Sequence, residues 1–227
     1  MTDFETPDLS GKVALVAGAT RGLGRALAER LGAAGAEVIA LARTVGALEE
    51  LDDAIRAAGG PKAVLVPADV TDDPALERLG AAIFERWGRL DLLVWCAVDA
   101  PPLSPAEHVA EKDLDRSFAV NARAPIRAIR VFDPLLRAAP AGRAVFFDDP
   151  HGRGKFHTAY AAAKAAAREA VETWAAERAA LGLTVKLLAP PPMPTAVRAR
   201  FHPGEDKTRL TPPREAAARL LPAILGD

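Results

Sequence analysis

Val13-Ala14-Leu15-Val16-Ala17-Gly18-Ala19-Thr20-Arg21-Gly22-Leu23-Gly24 is the stretch that decides the fold. An apolar run passes straight into three glycines, and Leu23, Leu27 and Leu31 then recur at helical spacing. A buried strand whose tight turn opens a helix aims free backbone N–H groups and a positive dipole end at one point, which suits a phosphate. Glycine leaves room for a pyrophosphate to approach the main chain. The turn therefore predicts a dinucleotide site at Gly18, Thr20, Arg21, Gly22, Leu23 and Gly24.

Outward from this turn, apolar runs at 13–16, 38–41, 63–66, 92–95, 144–147 and 183–188 alternate with helical patterns such as Leu48, Leu51, Ile55 and Leu76, Leu79, Ile83. Gly35, Gly59-Gly60-Pro61, Gly88 and Gly182 stand before later runs, where a chain entering a strand needs a break. The alternation predicts a single domain over 1–227: a Rossmann-type three-layer αβα sandwich with a doubly wound parallel sheet of about six strands. The least regular stretches, 98–112, 148–156 and 189–206, follow strand carboxyl ends. That is where an open parallel sheet builds its ligand crevice, so they are expected as substrate loops.

Composition narrows the class. The chain is 50% hydrophobic and 26% charged with a net charge of −1. Its basic residues are interleaved with acids, so nucleic acid is not an expected partner. Cys96 is the only cysteine, which excludes an intrachain disulfide and fits a reducing cytoplasm. Residues 1–9 carry Asp3, Glu5 and Asp8 and no apolar run, and no stretch approaches the ~18 uncharged residues of a membrane span. No membrane partner or export is expected. His108, His151, His157 and His202 lack paired ligand spacing, so no metal is expected.

Cofactor choice is read at the end of the second strand, where NAD binders place a carboxylate. Here the chain reads Leu41-Ala42-Arg43-Thr44. Arg43, joined by Arg21 in the glycine turn, suits a 2′-phosphate through its planar fork. NADP(H) is expected, with NAD(H) the lesser candidate.

The glycine pattern, Asp69-Val70 after the third strand, Asn121 in the fourth helix and Tyr160-Ala161-Ala162-Ala163-Lys164 together resemble the short-chain dehydrogenase/reductase family over nearly the whole chain. Taken singly, Tyr160 and Lys164 read as a surface pair one helical turn apart and Asn121 as a satisfied core asparagine. The resemblance implies a small-molecule carbonyl or alcohol substrate, with Tyr160 delivering a proton to the carbonyl oxygen while the nicotinamide delivers hydride. It implies that Lys164 draws the phenol down from its ordinary pKa of about 10 and bonds the nicotinamide ribose, and that Asn121 holds a water in a proton relay. Pro125 is expected to kink the helix and free a carbonyl there. Asp69, Val70, Ala97 and Thr195 complete the implied cofactor set. A homodimer through the fourth and fifth helices, those of Asn121 and Tyr160, is expected rather than a tetramer, because no glycine-rich last strand precedes Asp227.

The chain departs from the family at the serine that polarises the substrate carbonyl. Asp148-Asp149 follows Phe147 there, with about two residues fewer before Tyr160, so either aspartate fits the position. Asp149 joins Tyr160, Lys164 and Asn121 as the catalytic set, with Asp148 its alternative. Three outcomes are open: a protonated aspartate donates, Thr158 or His157 takes over, or catalysis is lost. Trp95-Cys96-Ala97-Val98 replaces two amides and a glycine, and Pro190-Pro191-Pro192 stiffens the loop after the sixth strand. Pro101, Pro102, Leu103, Met193, Val197 and Phe201 are expected as an apolar pocket wall. His151, Arg153, Lys155 and His157 make one loop locally basic, either balancing the aspartates or attracting an anion. Two functions are carried forward: an NADP(H)-dependent oxidoreductase, and a non-catalytic nucleotide-binding sensor or partner protein on the same fold.

Overall fold

The computed structural model describes residues 7–226, so positions 1–6 and 227 of the expected domain lie outside the described residues. Six strands, β1 Val13–Ala17, β2 Glu37–Ala42, β3 Val64–Pro67, β4 Leu92–Trp95, β5 Arg143–Phe147 and β6 Thr184–Leu188, form one sheet. The order is β3-β2-β1-β4-β5-β6, and every pairing is parallel. Each strand lies within two residues of its expected run.

Helices α1 Gly22–Ala33, α2 Val45–Ala57 and α8 Pro213–Leu225 cover one face, while α3 Asp73–Trp87, α4 Glu111–Phe118, α5 Ala124–Arg137 and α6 Thr158–Arg178 cover the other. The core is correspondingly double. Val13, Leu15 and Ala17 join Ile83, Phe132 and Trp174, whereas Ala14 and Val16 join Leu27, Leu51 and Leu221. Because both faces are covered, β1 reads as an unbroken apolar run rather than an alternating one. Local chemistry sets the helix limits: Asp72 caps α3 by accepting from the Ala75 N–H at 3.0 Å, and Gly88 ends it at φ 69.

Two expected loops contain helix. A seventh helix, α7 Ala196–Phe201, interrupts 189–206, and a 3₁₀ turn at Ala106–His108 and the start of α4 occupy part of 98–112. The expected kink at Asn121 is a π-helical turn over Ala119–Arg123, joining α4 to α5. Pro125 has no N–H for the Asn121 carbonyl, so the regular ladder cannot pass through this point.

The chain leaves β1 towards β2 on one side and returns to β4 on the other. Connections diverge there, and the resulting crevice lies outside the carboxyl ends of β1 and β4.

Candidate active site

The glycine turn forms one wall of a cleft of about 1040 Å³ that reaches from Arg43 to His202. Gly18 has φ +80, and a Cβ there would come within 2.8 Å of the Ala97 nitrogen; one on Gly24 would meet the Gly18 carbonyl oxygen at 2.3 Å. These glycines let the start of α1 press against the end of β4. Arg21 at the N-cap is extended and caps nothing with its side chain, and no acid stands in the first turn. The positive end of α1 is therefore unopposed from within the helix. Thr20, Arg21, Gly22, Leu23, Asp69, Val70 and Ala97 line the same cleft.

At the β2 end of the cleft, arginines and carboxylates are interleaved. Arg43 lies 3.7 Å from the Asp69 carboxylate, and Arg116 lies 3.4 Å from it and 3.8 Å from Asp99. Asp69 also accepts the Thr71 N–H and O–H at 3.0 and 2.8 Å. Burial pushes its carboxyl upward, but the Thr71 bonds and Arg116 together hold it below its usual value. Arg116 was invisible to motif reading because it sits inside an ordinary amphipathic helix.

At the other end, α6 carries Tyr160, Lys164 and Arg168 at four-residue intervals, hence on one face. The Tyr160 hydroxyl donates to Asp149 Oδ2 at 3.1 Å, and Asp149 Oδ1 accepts the N–H groups of His151 and Gly152, each at 3.0 Å. Gly152 is required, since a Cβ there would lie 2.2 Å from the Tyr160 ring. Asp148 turns away to Arg153 at 2.5 Å and Arg168 at 3.5 Å. Its Oδ1 is buried without a hydrogen-bond partner among the described residues. Of the two aspartates, Asp149 is the one in contact with the tyrosine. His157 bonds the Lys155 carbonyl through Nδ1 and packs on Phe201, and Thr158 is exposed at the start of α6.

One electrostatic expectation is reversed. Tyr160, only 2% exposed, has its phenol pushed well above the ordinary range, first by burial, then by the Asp149 charge and hydrogen bond, and then by Asp148. Lys164 does not draw it down, because its ammonium donates to the Phe147 carbonyl. Burial lowers the Lys164 pKa against the upward pull of Asp148 and Asp149. A carboxylate in the serine position stabilises the neutral phenol, which accounts for the reversal.

Asn121 is buried, with its amide satisfied by the Asp99 N–H at 2.8 Å, the Asp99 carbonyl at 2.9 Å and Ser117 Oγ at 3.0 Å. The side chain thus pins the loop after β4. Thr195 caps α7 by accepting from the Arg198 N–H at 3.3 Å, and its methyl stands opposite Gly22. Phe201 lies edge-on to both Tyr160 and His157, at 4.7 and 4.9 Å between centroids. Met193, Val197 and Phe201 line the cleft, whereas Pro101, Pro102 and Leu103 are not among its lining residues, and the neighbouring Ser104 bridges to His157. Burial pushes the Cys96 thiol up to about 12, which leaves no thiolate for chemistry near neutrality. Among the described residues no group of three or more His, Cys, Asp or Glu could hold a metal ion, and no helix is long and apolar enough to cross a membrane.

The sheet order, the glycine turn at its switch point and the Tyr160–Lys164 face across the cleft define an α/β protein of the Rossmann type built around a nucleotide crevice. The short chain dehydrogenase family model matches residues 12–206, and the chain belongs to that oxidoreductase family. It is 30% identical to a short-chain dehydrogenase/reductase of Pestalotiopsis microspora over 95% of this chain and 83% of the relative. It is 33% identical to a hydroxynaphthalene reductase of Aspergillus fumigatus over 88% and 74% respectively. A metagenomic short-chain oxidoreductase solved in complex with NADP superposes with a TM-score of 0.82 at 29% identity, covering 97% of this chain and 93% of that one.

Proposed function

We propose that the protein is an NADP(H)-dependent carbonyl reductase, or the reverse alcohol dehydrogenase, in which a Tyr160–Asp149 pair stands in for the family's tyrosine and serine. The observation that carries this reading is the 3.1 Å bond from the Tyr160 hydroxyl to Asp149, in the cleft that also holds the uncapped start of α1. The cleft suits the cofactor by its chemistry. Gly18, Thr20, Arg21, Gly22, Leu23 and Gly24 would hold the phosphates, with Arg43 and Arg21 on the 2′-phosphate and Asp69 and Val70 at the adenine. Ala97 and Lys164 would border the nicotinamide ribose, and Thr195 the carboxamide. When bound, the nicotinamide supplies or accepts hydride.

The chain's own groups manage the proton. With Asp149 ionised, the phenol proton is committed to the carboxylate, and losing it would set two negative charges about 3.1 Å apart. Protonating Asp149 removes that charge and reverses the bond. The acid then donates to the phenol oxygen, and Tyr160 is free to protonate a carbonyl oxygen. Phe201 packs edge-on against the Tyr160 ring, and both line the cleft.

A second reading, a nucleotide-binding protein without turnover, is favoured by the burial of Tyr160 and the commitment of its hydroxyl. The test is turnover with NADPH and NADH on a panel of aldehydes and ketones across pH, for the unaltered protein, Asp149→Ser and Tyr160→Phe. The reductase reading expects a fall of roughly 10²-fold in Tyr160→Phe, the scale of a lost general acid. Cofactor binding without turnover in both the unaltered protein and Asp149→Ser would select the second reading.

A further inference from the structure

The protein carries a net charge of −1, yet the substrate end of its cleft is lined by basic groups from two separate elements. Arg198 and Arg200 come from α7 and His202 from its end, while His151 faces them from the loop after β5. Two carboxylates act on them. Asp149, bonded by the neutral Tyr160 hydroxyl and two backbone N–H groups, keeps its charge and is felt by Arg198 and His202, whereas Asp148 is paired with Arg153 and Arg168. Glu205 takes the Arg198 guanidinium through two parallel bonds of 2.7 and 2.6 Å.

The groups lie close enough to sense one another. The bonds from Arg198 hold the Glu205 carboxyl below its usual range despite the upward push of burial, with His202 and His151 adding to the effect. Burial lowers the His202 pKa, and Arg198 and His157 lower it further against the raising effects of Glu205 and Asp149. The Arg198 side chain is 17% exposed, so its charge is partly shielded from water and dominated by one carboxylate. A planar fork that already binds a carboxylate at both N–H positions is shaped for another.

We infer that the substrate is a carbonyl compound bearing a carboxylate, held by Arg198 with His202 and His151, and that Glu205 is the resident counter-ion it replaces. The inference rests on the reductase reading above and specifies its substrate class. Asp149 would repel the same carboxylate, so the anionic end must lie towards α7 and the carbonyl towards Tyr160.

Matched probes test this: 4-oxopentanoate against its methyl ester and benzoylformate against its methyl ester, each with saturating NADPH. Each acid should exceed its ester in kcat/KM by on the order of tenfold or more, the scale of a charge-assisted bidentate contact. Arg198→Met should collapse that ratio towards one, chiefly through KM for the acid. Glu205→Gln, which keeps the guanidinium and removes its competitor, should raise the ratio. Equal or ester-favouring rates in the unaltered protein, or a ratio indifferent to both substitutions, would overturn the inference while leaving the reductase reading standing. If no probe is reduced, the reductase reading is what fails. Calorimetric binding of benzoate against benzamide to the NADPH-loaded protein then decides the anion site: Arg198-dependent preference for benzoate supports it, and equal binding overturns it.

Discussion

Tyr160 is the only tyrosine in the chain, so phenolate absorbance during an alkaline titration reports on this one hydroxyl. Its burial and its bond to Asp149 should keep it in the phenol form well past the ordinary midpoint of about 10. Replacing Asp149 by Ser removes the charge and leaves the burial. A hydrogen bond to a charged group contributes about 1.5–3 kcal/mol, which at ~1.36 kcal/mol per unit corresponds to about 1–2 pH units. Coulomb's law at 3.1 Å with an effective dielectric constant near 20 gives about 5 kcal/mol. The two N–H bonds to Asp149 Oδ1 spread that charge, so the smaller figure is the expected one. The Asp149→Ser midpoint should fall by about 1–2 units and stay above about 10. Circular dichroism on the same samples separates this from alkaline unfolding. The native phenol is harder to ionise than the unfolded one, so the native state keeps its proton while the unfolded chain loses it. Stability should accordingly drop as pH rises beyond about 10, and over a narrower pH range in Asp149→Ser. An unaltered protein whose tyrosine ionises at or below about 10 would mean that Lys164 controls the phenol, and an unchanged midpoint in Asp149→Ser would refute the proposed pairing.

Two further substitutions probe the other end of the cleft. Arg43→Ala should reduce the preference for NADPH over NADH by on the order of tenfold or more, measured as the ratio of dissociation constants; equal affinities in the unaltered protein would refute the 2′-phosphate assignment. Gly24→Ala would set a methyl 2.3 Å from the Gly18 carbonyl oxygen and should destabilise the fold by about 1–3 kcal/mol, seen as a lowered Tm. An unshifted Tm would show that the start of α1 does not press on the turn as described.

The sheet was legible because its inner strands are buried on both faces and the six runs, edge strands included, are largely apolar and bounded by glycine or proline. The phosphate turn was legible for a similar reason, since only glycine tolerates Gly18 at φ +80 against Ala97. The boundaries of α7 were not. Ala196 to Phe201 is too short for helical periodicity to appear, and its start depends on the Thr195 cap.

From sequence alone came the strand alternation, the glycine turn, the missing carboxylate at the β2 end and the Tyr160–Lys164 spacing, because each is a local pattern that backbone geometry or side-chain type imposes on neighbouring residues. Tertiary structure alone decided which aspartate meets Tyr160, since Asp148 and Asp149 are adjacent and the folding of the loop over Gly152 sends one towards the tyrosine and the other towards Arg153 and Arg168. It also decided the direction of the Tyr160 shift and the gathering of Arg198, His202 and His151. Charges act through space, and the separation of His151 from α7 along the chain says nothing about the distance between them.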